Sequence, residues 1–138
     1  MFVLNSGNTS HIGFKKVMEN IDLVDLTRAN FLIQKDNSVQ PVEMAPGAVN
    51  DLRGMTVGLV TMETSPPHNG ERHNDGDEIL IVVSGKVSME SDSNPKSNIE
   101  MSAGDSCIIR KGEWHKVHVI EKAQLVYITP SANNEHRF

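Results

Sequence analysis

The segment Pro66–Glu90, PPHNGERHNDGDEILIVVSGKVSME, concentrates side chains that could do chemistry. Glu71, His73 and Glu78 flank a turn-forming Asn-Asp-Gly-Asp run, which leads into an apolar strand. A second segment, Gly104–His118, reads GDSCIIRKGEWHKVH and brings His115 to the start of another strand. Two imidazoles and one or two carboxylates, supplied by neighbouring strands, are what a divalent metal with open coordination positions requires. On an extended segment Glu71 and His73 leave the same face, while Arg72 and Asn74 leave the other. His115, Val117 and Val119 likewise share a face, opposite Lys116, His118 and Ile120. The face with two valines is the better interior, which places His115 inside and His118 outside. Glu78 heads its strand with Leu80 and Val82 on its face. A carboxylate there is costly to bury unpaired, so a metal or a cationic partner is expected.

The elements that must position these residues read as strands. Residues 1–30 form an N-terminal arm, with a short helical turn at Gly13–Asn20 and a strand at Ile21–Asp25. From Phe31 to Phe138 the texture is that of one barrel domain. Phe31–Gln34 and Val39–Met44 precede the Pro46-Gly47 turn, and Met55–Glu63 is rich in β-branched residues. Glu78–Val83 and Lys86–Glu90 are separated by Ser84-Gly85, a two-residue link of the kind found in a tight hairpin. Ser91–Ser97 is a polar loop and Asn98–Ser102 a short strand. Three more strands follow, at Ser106–Arg110, Glu113–Ile120 and Gln124–Thr129. Pro130 ends the last, leaving Ser131–Phe138 as a polar tail. Strands at this spacing, with turn signals between them, predict an antiparallel sandwich or barrel. The run EILIVV is apolar on both faces, so its outer face needs a second sheet or a second chain, and a homodimer is expected.

Composition bounds the rest. A chain of 138 residues is one domain with a real core. Apolar content of 38% and charged content of 22% suit an ordinary globular protein rather than a disordered one. The net charge of -5 argues against nucleic acid as a partner. No apolar run approaches the roughly 20 residues of a membrane-spanning helix, and the first residues do not read as an export signal. The single cysteine, Cys107, leaves no internal disulfide framework and suits a reducing compartment. The expected location is cytoplasmic.

The two segments together resemble the two motifs of the cupins, small single-domain members above all. The first cupin motif has a His-x-His pair, three or four residues, a Glu, six residues and a Gly. Glu71-Arg72-His73, four residues, Glu78, six residues and Gly85 follow that layout, with Glu71 in place of the first histidine. The second motif runs Gly, five residues, Pro-x-Gly, two residues, His, three residues, Asn. Gly104, five residues, Arg110-Lys111-Gly112, two residues and His115 follow it, with Arg110 for the proline and Val119 for the asparagine. The resemblance spans about Met55–Pro130. It implies an all-β double-stranded β-helix, or jelly-roll, whose metal ligands point into one end of the barrel.

Carried over by position, His73, Glu78 and His115 are the ligands that the resemblance implies. The cofactor would be a divalent transition metal: iron, manganese, nickel or zinc. Glu71 has three readings: a fourth, oxygen ligand, a catalytic general base beside the metal, or the mark of a member that has lost metal binding. The expected partner is a small organic molecule. Dioxygenase, isomerase and lyase chemistry all occur on this fold, and a non-catalytic barrel that binds or senses a small ligand is the alternative. Other residues have plainer roles. His68, His11 and His136 read as surface histidines, Cys107 as a buried core thiol, and Trp114 as a rim or strand-end aromatic. Arg72 and Arg110 could meet an anionic substrate.

Overall fold

The computed structural model describes residues 20–43 and 53–138, together with the backbone pairing of Phe2–Val3 (β1) with Lys15–Lys16 (β2). The remaining strands are Ala29–Ile33 (β3), Val39–Glu43 (β4), Met55–Met62 (β5), Glu71–His73 (β6), Glu78–Ser91 (β7), Ile99–Ser102 (β8), Ser106–Ile109 (β9), His115–Pro130 (β10) and Asn134–His136 (β11). These nine form one curled antiparallel sheet, and the described residues contain no helix. The expected all-β double-stranded β-helix is the observed fold.

Two long strands organise it. β10 carries β5 on one edge, from Ala123↔Met62 to Pro130↔Met55, and β6 beyond it through His115↔Glu71. On its other edge lies β7, from His115↔Ser91 to Ile128↔Ile79. β7 in turn holds β9 along its first half and β8 along its second. Inward residues of β7 are Glu78, Leu80 and Val82, then Val87 and Met89, so the inward parity flips near Ser84-Gly85. A one-residue slip in pairing is what such a flip requires. The register against β10 shifts there, between Val119 and Leu125. Gly85 makes the crossing possible. It sits at φ +80°, and a Cβ on it would lie 2.0 Å from the Lys122 carbonyl oxygen.

Several sequence expectations change at this point. Ser84-Gly85 is not a hairpin turn but a bulge inside one continuous strand, and the strands expected at Glu113–Ile120 and Gln124–Thr129 merge into the single strand β10, which opens at His115. The polar tail contains a strand, β11, hydrogen-bonded to β6. Ile21–Asp25 is irregular rather than a strand, with Ile21 and Leu23 exposed. The helical turn at Gly13–Asn20 falls mostly outside the described residues, and Lys15–Lys16 within it is a strand. His11 lies outside the described residues altogether. The core fills the barrel with Leu80, Val82, Val87, Met101, Val117 and Leu125, all at most 6% exposed. Burying each such side chain contributes about 1.5–3 kcal/mol of transfer free energy.

Candidate metal centre

Four side chains meet at one end of this core. Glu71 and His73 leave the same face of β6, as the period of two predicts, and Glu78 and His115 are the first residues of β7 and β10. His73, Glu78 and His115 are 4%, 3% and 2% exposed, so each is removed from water. The pairing His115↔Glu71 brings β10 against β6, and the Gly112 N–H donates to the His73 carbonyl oxygen at 2.8 Å. That bond fastens the 110–114 loop beside the cluster.

The four residues each offer one ligand atom, all within 4.8 Å of one another. Glu78 Oε2 lies 3.0 Å from His73 Nε2, and Glu78 Oε1 lies 3.3 Å from His115 Nε2. Glu71 Oε1 is 3.5 Å from His115 Nε2. These are contact distances, yet His73 Nε2, Glu78 Oε1 and His115 Nε2 are buried without an aligned hydrogen bond. The ligand atoms are thus gathered in one small space with their ordinary hydrogen-bonding needs imperfectly met. The outer nitrogens, by contrast, are well held. His73 Nδ1–H donates to Asn134 Oδ1 at 2.9 Å, and His115 Nδ1–H donates to the Glu113 carbonyl at 3.1 Å. Both partners are acceptors, so both rings present Nε2 to the centre, the orientation that metal-ligating histidines need. Thr129 Oγ1–H donates to Glu78 Oε2 at 2.5 Å and fixes that carboxylate in turn.

Without a cation between them these groups shift one another's protonation. Burial alone would raise Glu78, but the His115 and His73 imidazoles and the Thr129 hydroxyl hold it down at about 2. Burial would lower His115, but the Glu71 and Glu78 carboxylates and the Glu113 carbonyl push it up to about 10. The same contest raises His73, through Glu78, Asn134 and Glu71, and lowers Glu71, chiefly through His115.

Glu71 also faces outward. Its Oε2 accepts from His136 Nε2 at 3.1 Å, and His136 packs edge-on against His68 with ring centroids 5.0 Å apart. His68, Glu71 and His136 thus make an outer group that shares Glu71 with the inner one. His68 is half-buried, its Nδ1 accepting from the Gly70 N–H at 3.2 Å, and its pKa is lowered by burial. His118, as expected, points away from the cluster and pairs with Glu90 at 2.6 Å. Cys107 is half-buried against the core, and burial raises its thiol. Trp114 is half-buried, and the guanidiniums of Arg72 and Arg137 lie over its ring, 4.8 and 4.7 Å from the centroid. Two contributors went unnoticed in the sequence, Asn134 and Thr129. The only signal for them was their position, Thr129 two residues from Tyr127 on an inward face and Asn134 in a short tail strand.

A cavity of about 370 Å³ opens onto the cluster. Glu71, His73 and Glu78 line one side of it, and Val60, Met62 and Leu125 are among the apolar residues of its walls.

Comparison with known proteins agrees with this architecture. A cupin-2 domain protein from Shewanella frigidimarina is 28% identical, with a TM-score of 0.48, over 61% of this chain and 74% of its own. An uncharacterised double-stranded β-helix protein from Klebsiella pneumoniae is 16% identical, with a TM-score of 0.50, over 68% of this chain and 90% of its own. An oxalate decarboxylase structure has a TM-score of 0.51 at 22% identity, over 59% of this chain and 23% of its own. No curated protein matches the sequence. The model of the cupin domain family matches residues 58–130, more than half of the chain and the stretch that holds all four clustered side chains. The chain belongs to the cupin domain family.

Proposed function

We propose that this barrel holds one divalent transition metal through His73, Glu78 and His115, with Glu71 as a fourth, oxygen ligand, and acts on a small organic molecule. The observation that carries the reading is the set of buried, unaligned atoms His73 Nε2, Glu78 Oε1 and His115 Nε2, which converge beside a cavity. Buried polar atoms without partners are costly, and a cation at their meeting point would satisfy all three at once. Two imidazoles and two carboxylates favour iron, manganese or nickel over a closed zinc site. Such an ion, when bound, supplies Lewis-acid polarisation of a substrate oxygen. The chain's own residues hold and orient. Asn134 and the Glu113 carbonyl fix the two rings, and Thr129 fixes Glu78. Glu71 is the most exposed of the four, at 24% of its side chain, and in the alternative to ligation it would be the general base that takes a proton from a bound ligand.

Dioxygenase-, isomerase- and lyase-type reactions all remain within this reading. The second reading is a non-catalytic barrel that binds or senses a small ligand. It is favoured by a cavity whose lining carboxylates, Glu71 and Glu78, both belong to the cluster. Residues 1–30 are assigned to an arm and 31–138 to the barrel, with β3, which pairs with the barrel strand β5, opening at Ala29, two residues before that boundary. Exposed Ile79, Val83, Ile108 and Ile120 support a homodimer, to be tested by light scattering. The unpaired Cys107 supports a cytoplasmic location.

Elemental analysis of untagged protein tests the metal centre. Near-stoichiometric metal is expected in the wild type and none in His73→Ala, while Glu71→Ala tells ligand from bystander. Wild-type protein that stays empty after reloading with iron, manganese, nickel and zinc overturns the reading. Oxygen uptake or product formation with a panel of small molecules then separates catalyst from binder.

A further inference from the structure

We infer that the cavity selects a ligand whose body is uncharged and mostly apolar, with only its oxygen-bearing head at the cluster. This rests on the metal reading for where the head is anchored. The cavity's charge carries the inference. Among the described residues, the only carboxylates that line it are Glu71 and Glu78, and no lysine or arginine does.

The nearby arginines are committed elsewhere. Arg72, next in sequence to Glu71, leaves the opposite face of β6, pairs with Glu135 and lies over Trp114. Arg110 pairs with Asp77 at 3.0 Å, and Arg137 pairs with Asp92 at 2.5 Å. The sequence expectation that Arg72 or Arg110 meets an anionic substrate is therefore not supported by their placement. A negatively charged body, lying away from the cluster that anchors the head, would enter the cavity with no lysine or arginine among its described lining residues to pair with it.

The cavity does offer neutral hydrogen-bonding groups. Tyr127 is the next inward-facing residue of β10 after Thr129, and its hydroxyl lies 3.4 Å from Asn30 Oδ1. That contact is long for a hydrogen bond between oxygens, so the hydroxyl keeps capacity for a ligand. Room for it is provided by Gly58, at its register partner on β5. A Cβ on Gly58 would lie 2.2 Å from Tyr127 Cζ and 2.7 Å from Asn30 Oδ1. Glycine weakens a strand interior, and close approach of a neighbouring group is a standard reason to find it there. Here it lets the Tyr127 ring lie against β5 with its hydroxyl beside Asn30. The body of the ligand thus meets apolar walls and neutral hydrogen-bonding groups, among them the Tyr127–Asn30 pair and the hydroxyls of Thr56 and Ser131.

Three probes with one chelating head test this: benzohydroxamic acid, its 4-carboxamide and its 4-carboxylate. Their binding to zinc-loaded and to metal-free protein is measured by calorimetry, with metal content checked on the same samples. The two uncharged probes should bind at least about tenfold more tightly than the carboxylate. Tyr127→Phe should weaken the carboxamide relative to the unsubstituted probe and leave zinc content unchanged. Protein that takes up no zinc but keeps this ranking overturns the metal reading and sustains the present one. Equal binding, preference for the carboxylate, or no binding in either form overturns the present one.

Discussion

Raising the pH from 7 to 9 should tighten metal binding by at least about a hundredfold, because the cluster must shed protons to become a ligand set. In the metal-free protein the carboxylates of Glu71 and Glu78 and the Glu113 carbonyl, acting against burial, push His115 up to about 10. A metal can use only the neutral ring. At pH 7 the gap to be crossed is 10 − 7, or about 3 pH units, worth about 4 kcal/mol and about three powers of ten in apparent affinity. While His115 remains protonated in the metal-free state, each unit of pH removes about a tenfold penalty. His73 is raised as well, through Glu78, Asn134 and Glu71, and adds a second displaced proton wherever it too is charged. The assay is competition for nickel against a chelator of known affinity at several pH values. Calorimetry in two buffers of different ionisation enthalpy gives the proton count. At least one proton released per metal at pH 7 is expected. Affinity that stays flat from pH 7 to 9 with no net release would refute this account of the cluster's charge.

Three further outcomes follow from the same contacts. The metal-free protein should be most stable between about pH 4.5 and 6.5. His115 is raised from 6.5 to about 10, so its contribution is full below 6.5 and is lost as pH rises toward 10. Glu78 is lowered from 4.5 to about 2, so its contribution is full above 4.5 and is lost as pH falls toward 2. Thermal melts across pH read both limbs, and an optimum at pH 8 or above would contradict them. Asn134→Ala removes the acceptor for His73 Nδ1–H and should weaken metal binding by about 10- to 100-fold, measured by chelator competition. Gly85→Ala must place a Cβ 2.0 Å from the Lys122 carbonyl oxygen at φ +80°, and should cost about 1–3 kcal/mol in urea denaturation.

Much of the centre was legible because strand alternation is local. Two valines, Val117 and Val119, on the face of His115 were enough to turn it inward and His118 outward, and Leu80 and Val82 did the same for Glu78. The fold was legible for a related reason, since turn residues and apolar runs mark strand edges in the sequence itself. What failed was continuity. Ser84-Gly85 carries the chemistry of a tight turn, and only the opposing Lys122–Ala123 backbone shows that the glycine is there to let one strand pass over another. β11 failed differently. Asn-Glu-His has no apolar alternation, and its partners on β6 lie 61 to 65 residues away. The residue that orients His73 therefore left no mark that a local reading could find.

The place of β10 between β5 and β7 has a consequence for synthesis. Until residues 115–130 have left the ribosome, one edge of β5 and one edge of β7 lack the strand that will cover them. Open strand edges are templates for association with other chains, and pairing between distant segments is slow. The nascent chain is thus most exposed to aggregation over a defined window late in translation. A pause or truncation before residue 115 should be far more damaging to soluble yield than one after residue 130.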